Sequence, residues 1–347
     1  MSLTFVLCFS LFASLLPLST PLSSSPYLSP TILSPNYQKM LKAFKIYIYP
    51  KSETLSFDSK VESLFYSTLT HSNFITQNPE EAHLFFIPHS FNAAVSPRAA
   101  ASVVSDYRTK YIYWNRTLGA DHFYLSSSGV GHGGDRNVVE LKKNSVQISC
   151  FPTASGLFIP HKDITLPPLA NVHAPHAPAN KSVNYFAYVR YNWVKESNLV
   201  EELLADPEIF VESEPSDQLT YESRLAGSKF CLFEYGPDIT AIGEAMSYGC
   251  VPVVITGRPI QDLPLMDVLS WQGIAVFVGT GGGARELKRE LGRVVVDGYD
   301  EMRESAVAAS KHFVWNDTPQ PFDAFHMVMY QLWLRRHTIR YAEREWA

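Results

Sequence analysis

Hydrophobic and polar positions follow two rhythms along the chain, and these divide it into two α/β halves. In the first half, Lys45-Ile46-Tyr47-Ile48-Tyr49 alternates as a strand does and stops at Pro50. Val61, Leu64, Phe65 and Leu69 then recur at helical spacing after a polar start at Ser59. Ala82 to Ile87 is a short apolar run closed by Pro88, the pattern of a buried strand. From Leu125 to Pro178, Gly, Ser, Pro and His are frequent and periodicity is weak. That stretch predicts loops and a connection between the halves, with a boundary near 170–180.

The second half restarts with a strand at Asn184 to Val189 and a helix carrying Val194, Leu199, Val200, Leu203 and Leu204. The clearest unit follows. Lys229 to Phe233 reads as a strand and Glu234 to Asp238 as a turn. Ile239 to Tyr248 reads as a helix stopped by Gly249, and Val251 to Ile255 as the next strand. Strand, short helix, strand implies a right-handed parallel crossover, and ligands of such sheets collect at the carboxyl ends of the strands. Ile274 to Val278 adds a strand, Arg285 to Leu291 a helix, and an aromatic, basic helix runs on from Pro321.

The amino terminus differs. Residues 2–17 carry no charge. They fall short of the roughly 20 apolar residues that span a bilayer, so residues 1–17 read as a signal peptide or signal anchor. Residues 17–35 hold 11 Ser or Pro among 19 positions, a composition that stays extended, and residues 18–40 are therefore expected to form a stem. Lobes at 41–175 and 176–320 and a terminal helix at 321–347 complete the expected organisation.

Of 347 residues, 46% are apolar and 18% charged, enough for cores and too many apolar positions for wholesale disorder. The formal charge of -5 argues against a nucleic-acid partner, which needs a basic face. Aromatics reach 13%, which suits a core as well as a ring-stacking surface. Cys150, Cys231 and Cys250 lie in the body, so at least one is unpaired, and the spacings match no zinc pattern. Sequons at Asn115, Asn180 and Asn316 are candidate glycosylation sites.

In the clear unit the Gly236 turn delivers the backbone to a helix start, whose free N–H groups and partial positive charge suit a diphosphate. Tyr235, Gly236, Ile239 and Thr240 are the expected contacts. Glu244, deeper in the helix, could accept two hydrogen bonds from a ribose diol. The same residues also fit a plain helix start, with Asp238 as N-cap and Glu244 solvated. Gly279 to Gly283 precedes a helix but lacks the G-K-[ST] of a P-loop and reads as a connector or lid. His173 and His176 stand three apart among prolines and read as loop, and no metal or other cofactor is expected. Arg335, Arg336 and Arg340 read as a solvated face of the last helix.

Residues 228–271, from Ser228-Lys229-Phe230-Cys231-Leu232 through Gly249-Cys250-Val251-Pro252 to Asp267-Val268-Leu269-Ser270-Trp271, resemble the nucleotide-sugar half of the exostosin-like glycosyltransferases, in particular their plant branch. The first half agrees in order. Lys45 to Pro50, Glu81 to Phe91, Tyr113-Trp114-Asn115-Arg116 with Gly119 and Asp121-His122-Phe123, and Lys162 to Pro167 resemble four further boxes of that family. The resemblance spans roughly residues 42–295. It implies a GT-B fold, two Rossmann-like lobes around a cleft. It also implies a Golgi membrane enzyme with a lumenal catalytic domain, or a secreted one. That enzyme would move a sugar, with inversion, from a nucleotide diphosphate (UDP) to a hydroxyl of a wall polysaccharide or proteoglycan glycan.

By the same resemblance Asp121 and His122 would face the cleft and carry the chemistry, and Arg190 would lie near the diphosphate. One departure stands out: Ala241 occupies a position where the family commonly has Arg, removing a bidentate phosphate partner. Arg190, Lys229 or Arg258 could replace that charge. Ala241 keeps a second reading open, an inactive lumenal subunit that binds glycan or a partner transferase within a complex.

Overall fold

Parallel strands favour apolar runs buried on both faces, and the chain folds its strands in two sets of five. The computed structural model describes residues 25–50, 55–89, 91, 95–131, 133–154, 156–170, 183–190 and 198–344. The first set is β1 (Ile46–Ile48), β2 (Leu84–Phe86), β3 (His122–Leu125), β4 (Val146–Cys150) and β5 (Ile164–Leu166). They pair in parallel in that order, and Ile75 bridges to Ile46 on the far side of β1. The second set is β6 (Tyr185–Val189), β7 (Ile209–Val211), β8 (Ser228–Glu234), β9 (Val251–Ile255) and β10 (Val276–Val278), parallel in the order β10-β9-β8-β6-β7. Two parallel sheets in two lobes are the GT-B arrangement.

The first lobe carries helices α1 (Pro30–Ala43), α2 (Lys60–Thr70), α3 (Pro97–Lys110), α4 (Ile112–Thr117) and α5 (Arg136–Asn144). The second carries α6 (Asn198–Leu204), α7 (Gln218–Ala226), α8 (Ile242–Ser247), α9 (Gly283–Asp297) and α10 (Tyr299–Ser310), and α11 (Ala324–Arg344) closes the chain. Gly249, at φ +73°, ends α8 where a stop was expected.

Two stretches differ from the sequence expectation. Residues 125–178 contain α5, β4 and β5 rather than loops alone. Their signal is masked because β4 buries polar Gln147 and Ser149. The Gln147 amide satisfies itself on Tyr124, Val130 and Ser149. The expected stem also ends early. Pro30 starts α1, and Leu33, Tyr37 and Met40 recur at helical spacing and are buried. Tyr37 stacks on Phe322 at 4.0 Å, and Trp333 Nε1 donates to Asn36 Oδ1 at 3.0 Å. The expected leader at 1–17, the lobe boundary at 175/176, and His173, His176 and Asn180 lie outside the described residues. No helix of the described residues is long and apolar enough to cross a membrane.

Helix α11 follows the second lobe in sequence but packs on β5 and α1 of the first. Arg335 fastens it. Its guanidinium donates to Lys162 O at 2.5 Å and Asp163 O at 2.9 Å, and to Asp267 Oδ2 at 2.8 Å. The solvated face expected there is wrong for Arg335, which is 7% exposed. Asp163 itself accepts from the backbone N–H of Gln147 and Ile159 and pairs with Lys162. Arg335→Ala would leave two carbonyls unpaired, and a loss on the order of 3 kcal/mol is expected in urea unfolding.

His312, fully buried, holds the same junction: Nδ1 contacts Phe322 O at 2.6 Å and Nε2 contacts Tyr27 Oη at 2.9 Å. Burial pushes its imidazolium down to about 4. Below the ordinary His value the unfolded chain binds a proton that the folded chain refuses, so this contribution to stability is lost as pH falls. Relative to His312→Asn, the wild type is expected to lose about 3 kcal/mol between pH 6.5 and 4. Parallel pH curves for the two would count against the assignment.

Candidate active site between the lobes

Strand order fixes where a ligand can sit. After β6 the chain leaves toward β7 at one edge, then returns on the other side of β6 as β8. The loops diverge there, and a crevice opens beyond the carboxyl ends of β6 and β8. Arg190 follows β6, and Tyr235 and Gly236 follow β8. The turn expected to lead into a regular helix is instead a 3-10 segment, Pro237–Ala241, before the six-residue α8.

This changes individual roles. Ile239 is fully buried and its N–H bonds Gly236 O, so neither its side chain nor its N–H is offered to a ligand. Thr240 is exposed, with its hydroxyl on Pro237 O. Beside Gly236 no atom lies within 4 Å of where a Cβ would stand. Glu244 is 3% exposed, which excludes a solvated helix residue, and Tyr221 Oη donates to its Oε2 at 2.8 Å. The Arg190 guanidinium lies 4.5 Å from the centroid of the Tyr221 ring. Tyr221 thus joins the two groups that the sequence proposed separately. Burial raises the Asp238 carboxyl, against the attraction of Arg190.

Ala241 packs into the apolar core. Of the three cations considered as substitutes, Arg190 and Arg258 stand at the carboxyl edge. Lys229 lies near the amino end of β8, over Tyr299.

The lobes meet at an open pocket lined by Thr153, Tyr235, Arg258 and Asp262 among others. Asp262 is 4% exposed. Its Oδ2 accepts from Thr153 N at 2.8 Å and Thr153 Oγ1 at 2.6 Å, and Tyr235 Oη donates to it at 2.6 Å. Burial, and then the hydrogen bond to Asp262, raise the Tyr235 hydroxyl. Thr153 lies three residues past β4, so this carboxylate binds one lobe to the other. Sequence reasoning missed Asp262 and Thr153, and no motif marks either. Tyr221 could have been found: Asp217 caps α7, Tyr221 and Leu225 lie four apart, and Gly227 stops it.

Cys231 and Cys250 form a disulfide, leaving Cys150 free. It staples β8 to the start of β9 around the Gly236 turn and stabilises by roughly 3 kcal/mol for a loop of this size.

Asp121 and His122 do not face the cleft. His122 begins β3, so both lie at the amino edge of the sheet, away from the seam. Arg116 and Thr117 hold the Asp121 carboxylate at 2.7 and 2.6 Å. His122 is fully buried, its Nε2 2.8 Å from Tyr49 Oη and its Nδ1 in a close contact of poor angle, 2.7 Å from Asp121 Oδ1. Burial pushes the Asp121 carboxyl up, but His122, Arg116 and Thr117 more than offset it and hold it below the usual range. At Gly119 a Cβ would stand 2.6 Å from the Trp114 ring. This box is structural.

The Gly279 to Gly283 segment leads into α9, whose start is already capped: Ala284 N donates to Glu202 Oε2 at 2.7 Å. Asn115 is exposed on α4, whereas the Asn316 amide donates to Asp323.

Two parallel α/β lobes meeting at strand carboxyl ends are the GT-B arrangement, and the family match makes the chain a glycosyltransferase. The Exostosin GT47 domain matches residues 40–282, and the chain belongs to that family. A probable glycosyltransferase of Arabidopsis thaliana is 29% identical over 346 residues, spanning 90% of this chain and 73% of its own. A probable glucuronosyltransferase of Oryza sativa subsp. japonica is 26% identical over 295 residues, spanning 73% and 66%. The crystal structure of Acinetobacter baumannii MurG overlaps 82% of this chain and 77% of its own at 12% identity and a TM-score of 0.32.

If Asp262 binds the lobes together, Asp262→Asn and Thr153→Ala are not independent. A double-mutant cycle in urea is expected to give a coupling of about 1 kcal/mol. Additive losses would mean the seam is held elsewhere.

Proposed function

We propose that the enzyme transfers a sugar from a UDP-sugar to a hydroxyl of a growing glycan, with inversion at the anomeric carbon. The observation that carries this is the switch-point crevice, where Tyr221 brings Arg190 and Glu244 together. Glu244 would hold the ribose diol. Arg190 would meet the diphosphate, supplying the charge that Ala241 lacks, and so stabilise the departing nucleotide.

The acceptor is read as a wall polysaccharide or proteoglycan glycan, and relatives named as probable glucuronosyltransferases make uronic-acid donors worth testing. The compartment is read as the Golgi lumen, with attachment through residues 1–17. The Cys231–Cys250 disulfide supports an oxidising compartment.

A thermal-shift titration of the protein with UDP and a panel of UDP-sugars tests the donor. At 100-fold over Kd a ligand of the folded state adds about 2.7 kcal/mol. Glu244→Ala is expected to weaken UDP binding about tenfold or more, the loss of roughly 1.4 kcal/mol. Undiminished affinity would remove the ribose role. Nucleotide binding without turnover would favour the inactive partner subunit, and product anomeric configuration by NMR tests inversion.

A further inference from the structure

A ligand held at two points binds well only when those points are fixed relative to each other beforehand. In the crevice beyond β6 and β8 the two points are Arg190, just past β6, and Glu244, in α8. They come from elements on either side of the switch point, and Tyr221 of α7 touches both. Its hydroxyl donates to Glu244 Oε2 at 2.8 Å, and the Arg190 guanidinium lies 4.5 Å from its ring centroid.

Tyr221 is itself held fast. Asp217 caps α7, and Tyr221 and Leu225 are buried along one face of that helix. One turn after Tyr221, Arg224 pairs with Glu212, just past β7, and its guanidinium lies 4.6 Å from the centroid of Phe210. Tyr188 Oη, from β6, donates to the same Glu212 carboxylate at 2.7 Å. Helix α7 is thereby pinned to β6 and β7. Burial and then the Glu244 carboxylate raise the Tyr221 hydroxyl, against the attraction of Arg190. It therefore stays a donor at neutral pH.

An ionised carboxylate only accepts hydrogen bonds, and a buried one must be given donors. A tyrosine hydroxyl on one oxygen stops the group from turning and sets where a ribose hydroxyl is received. The face of the same ring attracts a guanidinium and keeps it from swinging into solvent.

We propose that Tyr221 is a positioning residue of the donor site: its hydroxyl aims Glu244 at the ribose, and its ring holds Arg190 at the diphosphate. One side chain thus sets the preference for a ribonucleotide and aligns the two ends of the nucleotide. The inference rests on the donor site proposed above.

The test separates hydroxyl from ring. Affinities of the full chain for UDP, 2′-deoxyUDP, 3′-deoxyUDP and UMP are measured by titration calorimetry. The wild type is expected to prefer UDP to a deoxy analogue about tenfold, the worth of one hydrogen bond to a charged group. Tyr221→Phe keeps the ring. The ribose preference is expected to fall to about threefold or less, while the ratio of UDP to UMP affinity stays unchanged. Tyr221→Met fills similar space without a ring, so both ratios are expected to fall, the second by about threefold.

A merely structural role would lower the melting temperature and weaken every nucleotide alike, leaving both ratios at their wild-type values; that result overturns the inference. So does a Phe variant that keeps the wild-type ribose preference. Should the Met variant fail to fold, the Phe variant decides alone. A wild type that binds UDP no better than its deoxy analogues overturns the ribose role of Glu244, and the inference falls with the reading beneath it.

Discussion

The return of α11 to the first lobe is the constraint on which the site depends. A cleft between two lobes works only if the sheets are held edge to edge while their loops remain free to hold ligand. Arg335 meets that demand with one guanidinium. It bonds carbonyls at Lys162 and Asp163 in the first lobe and the carboxylate of Asp267 in the second. A planar fork of five donors suits this task, and a lysine could not span the same three acceptors in fixed directions. The apolar residues of α11 complete the junction, since Phe325, Val328, Leu332 and Trp333 share one core cluster with residues of both lobes.

That division of labour explains where chemistry is found. Both sheets are parallel, so all strands of a lobe end on one edge. At the amino end of β3, Arg116 and His122 flank the Asp121 carboxylate, and Tyr49, just past β1, reaches the His122 ring. Arg190, Tyr235, Arg258 and Asp262 lie beyond the strand carboxyl ends of the second lobe. A residue's value to catalysis thus follows from which end of its strand it occupies. A motif seen only as letters hides that distinction.

Much of the fold was legible because β1, β2, β6, β8 and β9 carry apolar runs, most of them with Pro or Gly nearby. What stayed illegible shares one physical cause, polar residues satisfied inside the fold. Gln147 and Ser149 disguised β4, and the Ser/Pro content of residues 17–35 disguised the start of α1, whose apolar stripe acquires meaning only against α11. In the site, Arg190, Tyr235 and Glu244 were legible from position and resemblance. Asp262 was not, because it gains its role from Thr153, a partner distant in sequence. The YWNR–DHF box misled for the complementary reason: Asp, His and Arg in one box suggest catalysis, and here Arg116 and Thr117 hold Asp121 while His122 is packed beside it.

Ala241 shows how the two levels combine. On sequence it is a missing arginine. In the structure it is a core residue on a 3-10 turn, packed with Ile239 and Ile242. The same crevice receives a guanidinium from the opposite wall, where Arg190 leaves β6 and lies over Tyr221. Charge at a phosphate site need only be close and desolvated; the element that supplies it is immaterial. In the proposed site that charge would come from Arg190, just past β6 beside the switch point, where Tyr221 lies between it and Glu244. The turn is thereby left apolar, and the disulfide that brackets it keeps that short segment in place without a charged side chain.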